Sequence, residues 1–223
     1  MPLTDAQIER YSRQIIVPGI GGRAQERLLG AKMLLAGELH DIEQPLAYLV
    51  GAGVGSIRLA LADNSDRLKK SDHLDKMRVL NPDVTIDLGS VLDIDSPNRF
   101  DLAMLLIGDD ALRDLAATLA DRIDATAYVI ARLDDPSRLA ILAAASSCPR
   151  CADASLLAQS VSNHSASADF VAMLATTESL KLLAGYSENP SSVIIDFEGY
   201  ATRPHPVTSA CTCGAHDRSV PSS

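Results

Sequence analysis

Four cysteines and one turn carry most of the chemistry this sequence could do. Cys148-Pro149-Arg150-Cys151 and Cys211-Thr212-Cys213 form two close pairs, far apart in the chain. That spacing differs from the dispersed cysteines of a small disulfide-stapled secreted domain. In a reducing compartment, two close pairs suggest a tetrahedral thiolate site. The turn is Gly37-Glu38-Leu39-His40-Asp41-Ile42, near the start of LLAGELHDIEQPLAYLVGAGVGSIRLALAD (34–63). That stretch reads as strand, turn, helix, turn, strand. A nucleotide-binding turn of this kind needs glycines for three reasons: the turn is tight, phosphate must touch backbone N–H groups, and helix and strand pack closely. Here Glu38 and Asp41 instead place negative charge where phosphates would lie. With His40 they could line a pocket for a ligand that is not a nucleotide.

The elements that must position these groups follow from periodicity and stop signals. Thr4-Asp5-Ala6-Gln7 is a capping box that starts a helix reaching about residue 15. A loop with Pro18, Gly19, Gly21 and Gly22 leads to a short helix at 23–29 and a buried strand at 32–36. Helix 41–51 and strand 57–62 follow, with Gly51-Ala52-Gly53-Val54-Gly55 read as a helix terminus. A helix at 66–80 stops at Asn81-Pro82. Strands are expected at 84–88, 101–107, 127–131 and 138–144, with a helix at 110–121. A loop at 152–167, an apolar helix at 168–184 and a strand at 193–197 complete the pattern. Strands alternating with helices imply an α/β fold, a doubly wound, mostly parallel Rossmann-like sheet. The expected divisions are a helical segment at 1–30, a Rossmann-like core at 31–145, and a cysteine-containing extension at 146–223 with a disordered tail.

Bulk properties narrow the function classes. A net charge of -9 leaves no excess of cations to neutralise phosphates, which argues against nucleic acid and anionic membranes as partners. There is no apolar run of about 18 residues and no basic-then-apolar leader, so a cytoplasmic location is expected.

Several segments place the chain close to a known family. RYSRQIIVPGIGGRAQERLLGAKMLLAG (10–37), LVGAGVGSIRL (49–59), LNPDV (80–84), CPRC (148–151) and ESLKLLAGY (178–186) occur in the order seen in the MoeB/ThiF/HesA family. That family is related to the ubiquitin-activating enzymes, and this chain resembles it over nearly its whole length. The resemblance implies a dimeric Rossmann-like enzyme that uses Mg-ATP to adenylate the C-terminal Gly-Gly of a ubiquitin-like sulfur carrier.

Residue by residue, much of that machinery is altered. The family pattern at the turn is G-x-G-G-x-G; Gly37 matches, while Leu39, His40 and Ile42 stand at the other glycine positions. The family's Asp-x-Asp after the second strand reads Leu61-Ala62-Asp63, so only Asp63 matches. The interval from Asp63 to Asn81 is shorter than in the family, and the loop carrying its phosphate-contacting Asn and Arg is missing. Lys69 or Lys70 could match the family's phosphate lysine, the alternative being a solvated helix end. Asp109 could match its metal-binding Asp, or Asp109 or Asp110 could cap the following helix. With no Cys between Cys151 and Cys211, a thioester in that loop is excluded.

Other features survive. Arg13 matches an arginine that reaches the nucleotide in the partner's site, a role suited to a permanently charged fork; a plain surface or interface ion pair is the alternative. Cys148, Cys151, Cys211 and Cys213 match the family's structural zinc site, although the second pair is one residue short and His216 could replace a thiolate. Four free thiols or a disulfide are the other readings. His164 and His205 lack partners at metal-ligand spacing.

The expectation is a degenerate member that does not bind Mg-ATP by itself. It would act as a homodimer, as a heterodimer with an active paralogue, or as a scaffold for a sulfur-carrier protein. The alternatives are an active adenylyltransferase with an altered site, and a homodimeric binding module with a non-nucleotide ligand.

Overall fold

The computed structural model describes residues 2–18, 21–61, 67–89, 99–108, 123–134, 137–143, 167–186, 193–198 and 201–206, with only the backbone at 67–73, 198, 201, 203, 205 and 206. The sheet is built outward from strands apolar on both faces. β1 (Lys32–Gly37) buries Met33 through Ala36, and β4 (Arg99–Ile107) buries Leu102 through Ile107. Unbroken apolar runs of this kind suit strands covered on both sides. Around them lie β2 (Ser56–Leu61), β3 (Thr85–Gly89), β5 (Asp124–Arg132), β6 (Ser137–Ala143), β7 (Val193–Glu198) and β8 (Ala201–Pro206). The order across the sheet is β3-β2-β1-β4-β5-β6-β7-β8. The first five strands pair in parallel, and β6, β7 and β8 add antiparallel.

The period of two along each strand divides the interior into two cores. Met33, Leu35, Leu102, Met104 and Leu106 face one; Leu34, Ala36, Ala103, Leu105 and Ile107 face the other. The first core is roofed by α3 (Gly21–Gly30), α4 (Leu39–Ala52), α5 (Arg67–Leu80) and α6 (Ala168–Ala184). In α4, Ile42, Leu46, Leu49 and Val50 recur at helical spacing and are fully buried. Each contributes roughly 1.5–3 kcal/mol of burial. Gly53 ends α4 in the left-handed conformation at φ 86°, the helix terminus that the glycine-rich segment implied. The face of α6 turned to the core carries Ala168, Ala172, Ala175 and Ser179, so the helix lies close to its neighbours. Phe170, from its apolar set, is instead 60% exposed, with its ring edge-on to Phe197. Thus α6 joins the main core, and β7 and β8 extend the same sheet. Among the described residues, no helix is long and apolar enough to cross a membrane.

Three local features depend on tertiary context. The first helix is split at Tyr11 into α1 (Asp5–Arg10) and α2 (Ser12–Ile15). The capping box at Thr4 forms as expected. The break follows from burial of Tyr11, 1% exposed, whose hydroxyl meets the Asn81 side chain and donates to Asp83. Its ring lies where a Cβ on Gly53 would be, and Asn81 Nδ2 donates to the Val50 carbonyl at 2.7 Å. Secondly, Pro45 lies inside α4, where a ring without an N–H ordinarily breaks a helix. Thirdly, 201–206 is a strand despite Pro204 and Pro206, because β8 is the edge of the sheet, where a missing donor is tolerated. The expected helix at 110–121 and loop at 152–167 lie outside the described residues.

Burial, together with the nearby Asp83 carboxylate, pushes the Tyr11 hydroxyl above its ordinary pKa. The neutral phenol therefore contributes stability that is complete below the unfolded value of about 10 and is lost as pH rises through the higher folded value. Tyr11→Phe should cost about 1–2 kcal/mol at neutral pH through the abandoned Asn81 and Asp83 groups. It should also lose less stability than the parent between pH 9 and pH 11, which thermal melts across that range would measure. Parallel curves for the two proteins would refute the assignment.

Candidate functional site

The order of the sheet reverses between β1 and β4, and the crevice at that switch point is where doubly wound folds place their ligands. The helix that begins there is α4. Its first turn is closed by this chain's own side chains. Gly37 allows the helix to approach: a Cβ there would lie 2.7 Å from Ile42 Cγ2 and 3.2 Å from Leu106 Cβ. Ile42 is 0% exposed. Of the three reasons for glycine in such a turn, close packing of helix on strand is met at Gly37. At Ile42, a branched side chain fills the space.

Charge follows the same direction. Glu38 is the N-cap, extended at φ -80° and ψ 155°, yet its side chain makes no capping hydrogen bond. Its carboxylate lies 3.1 Å from His40 Nδ1, while His40 Nε2 lies 3.3 Å from Asp41 Oδ1. The Asp41 side chain is only 5% exposed and the His40 ring 64%. Beside them opens a groove of about 480 Å³ between the start of α4 and the start of α6. The formally charged side chains lining it are Asp41, Glu43 and Asp169, all acidic. At a helix N-terminus these carboxylates are favourably placed, and each opposes an incoming phosphate.

The other residues singled out in the sequence are distributed as follows. Arg13 is exposed on α2 and forms no ion pair among the described residues. Lys69 and Lys70 lie in α5, and His205 is in β8, each described by backbone alone. Asp63, Asp109, Cys148, Cys151, Cys211, Cys213, His164 and His216 lie outside the described residues. The structure thus brings together Glu38, His40 and Asp41 around Gly37. Sequence reasoning missed the Arg132–Asp134 pair, a two-point fork with both contacts at 2.6 Å. Both residues are buried, where β5 ends beside β4 and the Leu133 N–H donates to the Ile107 carbonyl. The only signal was an arginine and an aspartate two positions apart after an apolar strand, which is compatible with an ordinary exposed turn.

A doubly wound sheet with a helix starting at its switch point defines a Rossmann-like protein. No family model matches the chain. It is 34% identical to the vegetative HesA protein of Trichormus variabilis over 136 residues, 54% of this chain and 50% of that protein. It is 44% identical to the adenylyltransferase and sulfurtransferase Uba4 of Pyricularia oryzae over 62 residues, 28% of this chain and 13% of that one. The chain thus spans at most half the length of these relatives. In fold it is similar to E. coli MccB crystallised with ATP, with a TM-score of 0.66 at 15% identity over 92% of this chain and 74% of that one. PaaA is similar too, with a TM-score of 0.60 at 16% identity over 92% and 75%. The relatives named HesA and Uba4 support the resemblance to the MoeB/ThiF/HesA family read from RYSRQ and LKLLAGY.

If Gly37 is kept for packing against Ile42, its tolerance to a side chain must depend on residue 42. Gly37→Ala alone should cost about 1–3 kcal/mol, the usual penalty for overpacking. In an Ile42→Ala background most of that cost should vanish, giving a coupling energy above about 0.5 kcal/mol in urea unfolding. Simple additivity of the two changes would rule out the packing role.

Proposed function

We propose that this chain is a non-adenylating member of its family, retained as a binding partner. It acts as a dimer partner or scaffold for an active paralogue or for a ubiquitin-like sulfur-carrier protein. The observation that carries this reading is Ile42, buried against Gly37 where a nucleotide turn needs an open glycine. Carboxylates at the same turn and the short interval from Asp63 to Asn81 support it. Arg13 fits the remaining role, completing a partner's site in trans, because the guanidinium is exposed and the helix carrying it is pinned through Tyr11. Uba4, an adenylyltransferase and sulfurtransferase, supplies the analogy for a sulfur-related partner. A cytoplasmic setting agrees with this reading.

Calorimetry with Mg-ATP on the isolated chain tests the central claim. The expected result is no saturable heat below millimolar nucleotide, and micromolar binding would sink it. A structural zinc on Cys148, Cys151, Cys211 and Cys213 belongs to the same reading, tying the end of the chain to the 148–151 turn. Metal analysis should then find about one zinc per chain, lost in Cys148→Ser; an undiminished zinc content in that variant would remove the assignment.

A further inference from the structure

The geometry points to a divalent transition-metal site at the start of α4, made by His40 and Asp41 with Glu38 behind the ring. It rests on the reading that no phosphate occupies this turn. The donor atoms of the three side chains all lie within 4.8 Å of one another. One imidazole nitrogen with carboxylate oxygens is a donor set suited to first-row divalent ions such as Mn²⁺ and Co²⁺.

The ring orientation favours this use. His40 faces a different carboxylate with each nitrogen, Glu38 at 3.1 Å and Asp41 at 3.3 Å. A neutral imidazole carries a single N–H and can donate to only one of them. With an ion between Nε2 and Asp41, Nδ1–H remains to donate to Glu38. That is the carboxylate–imidazole–metal arrangement, which fixes tautomer and ring angle together.

Access and field agree with the donors. His40 and Asp41 both line the groove of about 480 Å³, and its lining adds Glu43 and Asp169. A hydrated ion therefore meets a route bordered by negative charge and keeps water in its remaining positions. Asp41 is nine-tenths buried and held by the backbone of α4, so one ligand is already ordered before binding.

Manganese is the probe, because Mn²⁺ favours oxygen and nitrogen donors and leaves cysteine thiolates alone. The free Mn²⁺ resonance signal, titrated against the full chain without nucleotide, should show one saturable site. His40→Ala, at an exposed ring, should weaken it at least tenfold without changing the melting temperature, and Asp41→Asn should do the same. Glu38→Gln should weaken it less, acting through the ring. Glu178→Gln, at a carboxylate of α6 that pairs with Lys181 and does not line the groove, should leave it unchanged. No saturable Mn²⁺ site, or a site indifferent to His40→Ala, overturns the inference. Mn²⁺ retained only when ATP is added overturns it too, and in that case also removes the non-adenylating reading. Failure of Mn²⁺ to bind, with Mg-ATP also unbound, removes the metal site alone.

Discussion

Ile42 on Gly37 is the contact from which the rest of the crevice follows. An α-helix can approach the end of a parallel strand only if one partner gives up its side chain, and here the strand does so. The methyl group of Ile42 takes the released space, wedged between the Gly37 backbone and Leu106 of β4. Close-packed interiors resist even one extra methylene, so this space is held by the core and is not available as a flexible pocket. A phosphate would need the same volume together with exposed N–H groups. The physical choice is between a packed helix start and a ligand cradle. In this chain the packing has the space.

Electrostatics reinforces that choice by a separate route. The positive end of α4 would attract any anion, and two carboxylates of the chain already lie there. Glu38 leaves the backbone N–H groups and turns to His40, while Asp41 is almost wholly enclosed. Filling the turn with apolar volume and charging it with carboxylates both act against nucleotide. Reversing only one of them would leave the other in place. The resulting local field favours cations at the point where relatives are expected to receive phosphate.

The fold was largely legible because its signals are local and strong. Apolar runs at 33–36 and 102–107, helical spacing in 41–51 and the Asn81-Pro82 stop each act over a few residues. What escaped depended on distant partners. Tyr11 breaks the first helix because Asn81, seventy residues later, captures its hydroxyl. No strand is expected at 201–206, and Pro204 and Pro206 are tolerated there because β8 is the edge of the sheet. Pro45 did not hide the helix expected at 41–51, and it is carried inside α4 because Leu46, Leu49 and Val50 bury the helix on the sheet, packing that outweighs local propensity. Of the site, the loss of glycines was visible in the sequence. The mutual arrangement of His40 with both neighbouring carboxylates was not, since residues one and two positions apart at a helix start can point in several directions.

The two ends of α4 explain how one part of this frame could be rewritten while another was kept. Its N-terminal end meets Gly37 and the space beside Leu106 through Ile42; its C-terminal end meets Tyr11 through Gly53 and Asn81 through the Val50 carbonyl. Fourteen residues separate the ends, about 20 Å along the axis. Changes at sites further apart than about 10 Å with no shared partner add independently. Substitutions at 38–42 therefore leave the Tyr11 anchor intact, and with it the position of the short helix that carries Arg13. A chain built this way can lose its own nucleotide turn and still present that guanidinium at a fixed place on its surface. On the reading proposed above, a frame held in this way is what a role for Arg13 at a partner's site would require.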